Sequence, residues 1–160
     1  LPSVIHFNQC AYVKDRSTFD ALRTIEDIKN LTKTRNIAGL LVAVDFQKAF
    51  DSVNWNFHTN TLQSFGFGPT FIKWVKTFYS DITSCVMNNG FSSGYFEVKK
   101  GVRQRDTLSA FLSILVIDVF AINIRYNKYI KGIKVGNNEI KLSIFADDLT
   151  AFLKKQNFLR

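Results

Sequence analysis

Two neighbouring acids, Asp147 and Asp148, stand between the apolar runs Leu-Ser-Ile-Phe-Ala and Leu-Thr-Ala-Phe-Leu. A third acid, Asp45, closes the strand-like run Gly39-Leu-Leu-Val-Ala-Val. Carboxylates gathered at strand ends repel one another, and burial penalises their ionised form. A divalent cation removes both penalties and prefers oxygen ligands. If the fold brings Asp45 beside the Asp pair, the site can hold two Mg²⁺ ions. Such a pair stabilises the attacking and leaving oxygens of a phosphoryl transfer. An isolated Asp-Asp more often marks a solvated turn. The apolar flanks and Asp45 argue for the site.

The elements that must position these acids follow from periodicity. Ser17 or Thr18 is suited to cap a helix near 18–32, with Leu22, Ile25, Ile28 and Leu31 on one face. Residues 39–46 read as a buried strand. Asn54 is suited to cap a helix near 55–65 closed by Gly66, and Pro69 opens the next, with Phe71, Trp74, Val75 and Phe78 at helical spacing. Residues 82–88 and 93–99 form a hairpin pattern around Asn88-Asn89-Gly90. A long helix is expected from Thr107, its apolar face being Leu108, Phe111, Leu112, Leu115, Val119 and Ile122. Gly132 and Gly136-Asn137-Asn138 punctuate a hairpin of 130–135 with 139–145, and 149–153 returns as a strand. The order gives an α+β plan, a mostly antiparallel sheet with helices packed on one face.

Composition narrows the classes. A chain of 160 residues with 46% apolar content fits one domain, or part of a larger protein, and buries roughly two thirds of its unfolded surface. It starts at Leu1 and reads as a piece of a longer polypeptide. The net charge of +8 suits a polyanionic partner, through release of condensed counterions, and equally suits a basic outer face. Cys10 and Cys85 are far apart and His6 and His58 stand alone, so neither a disulfide framework nor a zinc site is expected. No uninterrupted apolar run reaches the ~18 residues of a spanning segment. No membrane partner is expected, and the sparse cysteines suit an intracellular location.

Four segments resemble the reverse transcriptases of non-long-terminal-repeat, LINE-type retrotransposons. Val44-Asp45-Phe46-Gln47-Lys48-Ala49-Phe50-Asp51-Ser52-Val53 resembles their first catalytic motif. Gly101-Val102-Arg103-Gln104-Arg105-Asp106-Thr107-Leu108-Ser109 resembles Gly-x-x-Gln-Gly-x-Pro-Leu-Ser. Phe145-Ala146-Asp147-Asp148 resembles the Phe/Tyr-Ala-Asp-Asp box, and Asn8-Gln9 through Arg16-Ser17-Thr18 is similar to a nucleotide-contacting fingers segment. Ile130-Lys-Gly-Ile also fits such elements.

The resemblance implies a polymerase palm with partial fingers, about 1–38 fingers and 39–160 palm, the thumb lying outside this stretch. It implies RNA-directed DNA polymerase activity, with an RNA template, a DNA primer, deoxynucleoside triphosphates and Mg²⁺, or Mn²⁺ in its place, and the nucleus as one compartment. Asp45, Asp147 and Asp148 would be the metal ligands, with the carbonyl of Phe46. Lys14, Arg16, Lys48, Ala49, Phe50 and Gln104 would contact the nucleotide. Phe50 would exclude a 2′-hydroxyl by collision, and Gln104 would contact the nucleotide without adding charge.

Departures from the pattern are Arg105 for Gly, Thr107 and Ala110 for Pro, Ala11-Tyr12 for Gly-Phe, and Asp15 for Gly. Glycine often serves where φ is positive, so Arg105 and Asp15 bear on nucleotide fit. Two other readings stand beside this one. One is a catalytically silent nucleic-acid-binding remnant. The other is another palm-type nucleotidyl transferase, such as an RNA-dependent RNA polymerase. Little activity is expected of these 160 residues alone.

Overall fold

The computed structural model describes residues 2–104 and 106–155. The described chain contains helices α1 (Thr18–Thr34), α2 (Trp55–Ser64), α3 (Pro69–Phe78) and α4 (Thr107–Tyr126). Its strands are β1 (Gly39–Val44), β2 (Thr83–Ser84), β3 (Met87–Asn88), β4 (Phe91–Ser92), β5 (Phe96–Glu97), β6 (Ile133–Val135), β7 (Asn138–Ile140), β8 (Leu142–Phe145) and β9 (Asp148–Lys154). They form two compact units, residues 1–47 with 113–160, and residues 48–112. The boundaries fall after Gln47 and within α4.

The first unit is built on a three-stranded antiparallel sheet in the order β1-β9-β8. On one face Ile117 and Ala121 of α4 pack with Leu142, Ile144, Leu149 and Ala151, and Val44, Phe46, Ile124 and Leu153 join them. Leu142, Ile144 and Leu149 are 0–2% exposed, each contributing roughly 1.5–3 kcal/mol by burial. The alternate residues point the other way. Phe152 packs with Ile28 of α1 and with Ile133, and Ser143 donates its hydroxyl to the Ala21 carbonyl at 3.1 Å.

Helices therefore cover both faces of this sheet, not one as expected. The physical reason is that the middles of β8 and β9 carry apolar or small residues on both sides, so each side needs a cover. The expectation that residues 39–46 form a buried strand is also corrected. β1 ends at Val44, pairs only with β9 among the described residues, and leaves Leu40 and Leu41 half-exposed or more. As an edge strand it lacks a neighbour on one side.

Helix α1 begins as expected at Ser17, whose backbone N–H and hydroxyl both donate to the Asp20 carboxylate at 2.7 and 2.9 Å. These bonds lower the Asp20 pKa. Helix α4 has the expected start, and Leu112 and Leu115 of its expected face are buried, but a stripe of Ile114, Ile117, Asp118 and Ala121 is buried as well. Val119 and Ile122 are only half-buried. The stripe holds a charge, since Asp118 is 2% exposed and pairs with Arg125 at 2.8 Å, two turns on.

By length and composition alone, α4 is long and apolar enough to cross a membrane, contrary to the expectation that no segment would be. Asp118 interrupts the run, which is why counting consecutive apolar residues misses it. Here the helix serves as a core element.

In the second unit Asn54 caps α2 by accepting from the Asn56 N–H at 2.8 Å, and Pro69 opens α3. The expected 82–99 hairpin is broken into two-residue pieces, β2 with β5 and β3 with β4. Its turn, Asn89-Gly90, has φ of 49° and 81°, the I′ pattern that this dipeptide favours.

Candidate active site

The three acids belong to the first unit, and strand register brings their backbones to one sheet end. Val44 pairs with Leu149, and Phe145 pairs with Asp148. Asp45 follows Val44 directly, so continuing the register sets it opposite Asp148. Val44, Phe46 and Leu149 all pack on the α4 face. By alternation Asp45 and Asp148 share the other face. Both are exposed, and Asp147 is half-buried.

Among the described residues, no group of three His, Cys, Asp or Glu side chains is gathered closely enough to hold a metal ion. Nor does a hydrogen bond or ion pair engage any of the three carboxylates there. The three carboxylates are oxygen donors of the kind a hard divalent cation prefers, but their side chains do not form a closed site in this structure. Rotation of short side chains at strand ends would be needed to close it. Phe46 is fixed more firmly, its ring edge-on to Phe120 at 5.4 Å.

The Asp pair sits on a two-residue turn, Ala146-Asp147, between β8 and β9. Ala146 has a φ of 56°. A first central residue at positive φ is the II′ pattern, which normally takes Gly. The bonds that meet this turn come from far away in sequence. Gln9, 0% exposed, accepts through Oε1 from the Ala146 N–H at 2.9 Å and donates through Nε2 to the Ala146 carbonyl at 3.0 Å. The segment carrying Gln9 lies along β8. Cys10 N–H donates to the Ile144 carbonyl, and Ile144 N–H donates to the Asn8 carbonyl, both at 2.8 Å.

Arg16 also belongs to this segment. Its guanidinium donates to the carbonyls of His6 and Gln9 at 2.7 and 2.8 Å and of Ile5 at 3.2 Å. In this structure Arg16 braces the loop that carries Gln9. Lys14 is exposed. Tyr12 and Asp15 have φ of 56° and 63°. The Asp15 value explains in backbone terms why glycine suits that position.

The remaining candidates belong to the second unit. Lys48 is exposed with a φ of 54°, and its carbonyl accepts from the N–H groups of Asp51 and Ser52 at 3.0 and 3.1 Å. Ala49 and Phe50 are half-buried. The Phe50 carbonyl accepts from Val102 N–H at 2.7 Å, and the Val53 carbonyl from Gly101 N–H at 2.8 Å. Gly101 has a φ of 85°, and a Cβ there would lie 2.8 Å from the Asp51 backbone. Glycine is what permits this approach.

Gln104 donates to the Asp51 carboxylate at 3.3 and 3.4 Å. Asp51 is thus a partner of Gln104 and not of the three acids. Arg105 lies outside the described residues. Sequence reasoning missed the role of Asp106, whose carboxylate accepts from Ser109 N–H and hydroxyl at 3.2 and 2.9 Å. An acid three residues before Ser109 was the available signal.

Residues 1–159 match the family described as reverse transcriptase (RNA-dependent DNA polymerase). The chain belongs to this family. It is 31% identical over 149 residues to the transposon TX1 uncharacterized 149 kDa protein of Xenopus laevis, covering 93% of the chain and 11% of that protein. It is 35% identical over 109 residues to the retrovirus-related Pol polyprotein from type-2 retrotransposable element R2DM of Drosophila melanogaster, covering 68% and 10%. A third relative, the Pol polyprotein from type-1 retrotransposable element R2 of Popillia japonica, is 30% identical over 118 residues, covering 73% and 16%. The chain therefore spans a small part of each curated relative.

A solved structure, apo telomerase from Candida tropicalis truncated from the C-terminal domain, matches with a TM-score of 0.57 at 16% identity. The match covers 94% of this chain and 30% of that one, and it shows a shared α+β fold. The recognised motifs thus lie in a chain of the family that they resemble.

Proposed function

We propose that this reverse transcriptase domain extends a DNA primer on an RNA template, using deoxynucleoside triphosphates and divalent metal. The observation that carries the reading is the register. Val44 pairs with Leu149 and Phe145 with Asp148, which supports a site where Asp45, next along the chain, lies toward Asp148 with Asp147 in the adjoining turn. Asp45, Asp147 and Asp148 would hold Mg²⁺ or Mn²⁺, with the Phe46 carbonyl as a further oxygen donor. Bound metal would supply charge neutralisation at the phosphates.

The chain's own residues do the rest. The turn orients Asp147, and the packing of Phe46 on Phe120 holds the segment after Asp45 in place. Phe50 acts as the steric filter against a 2′-hydroxyl, and Gln104, oriented by Asp51, contacts the nucleotide. Lys14 and Lys48 are the exposed cations offered to the triphosphate. Arg16, already engaged with three carbonyls, acts on the nucleotide by holding its loop.

The test is primer extension on an RNA template by a full-length polypeptide carrying this domain. Deoxy- or ribonucleotides are supplied, with Mg²⁺ and then with chelator. Metal-dependent extension with deoxynucleotides alone is expected. Extension with ribonucleotides alone would indicate an RNA polymerase. Template binding without extension, in a protein otherwise folded, would indicate a silent remnant. Binding by the domain should weaken steeply as salt rises, because phosphate contacts release counterions.

A further inference from the structure

Ala146 is the residue of the acidic turn that its own sequence does least to hold. A side chain at positive φ is disfavoured, and Gly would adopt that backbone freely. Yet both hydrogen-bonding groups of Ala146 end on one buried amide, that of Gln9. Oε1 accepts a second bond, from Ala11 N–H at 3.0 Å. Two N–H groups on one atom and a carbonyl on the other fix the amide's orientation without ambiguity.

Gln9 is itself held at both ends. Its neighbours Asn8 and Cys10 bridge to Ile144, and its carbonyl accepts from Arg16 at 2.8 Å. A buried glutamine needs partners somewhere. Here the partners are the backbone of the residue just before Asp147, 137 positions away in sequence.

We infer that Gln9 is a positioning residue that holds Ala146 at positive φ and so sets the direction of the Asp147 carboxylate for metal binding. The inference rests on the proposed role of Asp147 as a metal ligand. It makes Gln9 part of the acidic site through the backbone, without contact of its own to metal or substrate. Gln9→Leu removes both bonds. Gln9→Glu keeps the volume and the acceptor and, measured at a pH where it is ionised, has no donor for the Ala146 carbonyl.

The experiment uses the 160-residue chain and four variants, Gln9→Leu, Gln9→Glu, Ala146→Gly, and Gln9→Leu with Ala146→Gly. Two readouts are taken, amide exchange at Ala146 and Mn²⁺ affinity from paramagnetic resonance titration. Both Gln9 variants should speed exchange at Ala146 while the amides of β1 and α4 keep their protection. Both should weaken Mn²⁺ binding by about tenfold, the scale of losing an outer partner of a metal ligand. Adding Ala146→Gly should restore most of that affinity, because Gly keeps the turn without the clamp; a packing defect at Gln9 would not be mended this way.

If Gln9→Leu loses protection throughout, the isosteric Gln9→Glu decides. Unchanged Ala146 exchange in Gln9→Glu, or no rescue by Ala146→Gly, overturns the inference. A parent chain that binds no Mn²⁺ would sink the metal reading instead. The exchange measurements would then still decide whether Gln9 holds the turn.

Discussion

Two of the two-residue hairpin turns among the described residues are made in opposite ways. At Asn89-Gly90 in the second unit, both residues are at positive φ, and both are types that accept it. The flanking strands are two residues long and exposed. At Ala146-Asp147 in the first unit, the residue at positive φ is of the wrong type, the strands are buried, and a distant glutamine supplies the hydrogen bonds. The first turn is written locally. The second is imposed by tertiary structure, at the sheet end that carries the three acids. Strain carried by a surrounding fold is a common mark of functional turns.

The largest effect that would sharpen this contrast lies at the imposed turn. Asp147→Asn in an active full-length protein should lower primer extension by roughly 10³-fold, several kcal/mol of transition-state stabilisation. Its circular dichroism should be unchanged. Asn89→Asp, in the local turn, should leave extension within roughly twofold, since surface changes seldom exceed ±0.5 kcal/mol. Equal losses would erase the contrast.

Gly101→Ala tests the second unit where it does depend on close approach. The new Cβ meets the Asp51 backbone at 2.8 Å with φ at 85°. A loss of roughly 3 kcal/mol in stability is expected, read by urea unfolding. Exchange at β8 and β9 should stay slow if the two units are separately cooperative.

A smaller effect concerns pH. His58 in α2 is buried, neither ring nitrogen has a partner, and burial lowers its pKa to about 4. The folded state thus favours the neutral ring. That stability is fully present above the unfolded value near 6.5 and is lost as pH falls from there through about 4. The loss should be roughly 2 kcal/mol, measured by denaturation at pH 7 and pH 4. His58→Leu should flatten that part of the profile.

The smallest effect is one of selectivity. Phe50→Val should raise ribonucleotide incorporation relative to deoxynucleotide by roughly tenfold, the scale of a modest steric change in a pocket. Competition assays on the full-length enzyme would show it. A ratio that does not move would place the sugar filter elsewhere.

What the sequence disclosed follows the same division. Helix caps at Ser17 and Asn54, the Pro69 start and the Asn89-Gly90 turn are local signals, and all four appear where expected. The strand order around the acids was legible because their flanks alternate or run apolar. The cover on both sheet faces was not, because Ser143 and Phe152 give no hint alone of what lies against them. The Asp118–Arg125 pair was hidden for a related reason. Their spacing of seven residues marks one helix face, but only packing shows that the face is buried. Gln9 and Arg16 were noticed as parts of a motif, and their bonds to distant or looping backbone could not be read from spacing.

Strand β1 carries a further consequence, for handling the protein outside its normal context. Gly39-Leu-Leu-Val-Ala-Val44 has an open pairing edge among the described residues, with no proline, lysine or bulge to blunt it. Natural sheets guard such edges because they template association with another chain. A concentrated preparation of these 160 residues is therefore expected to turn cloudy slowly, by strand-to-strand stacking, while still folded. Because this strand leads directly into Asp45, any change made to blunt its edge would lie next to the acidic end of the sheet.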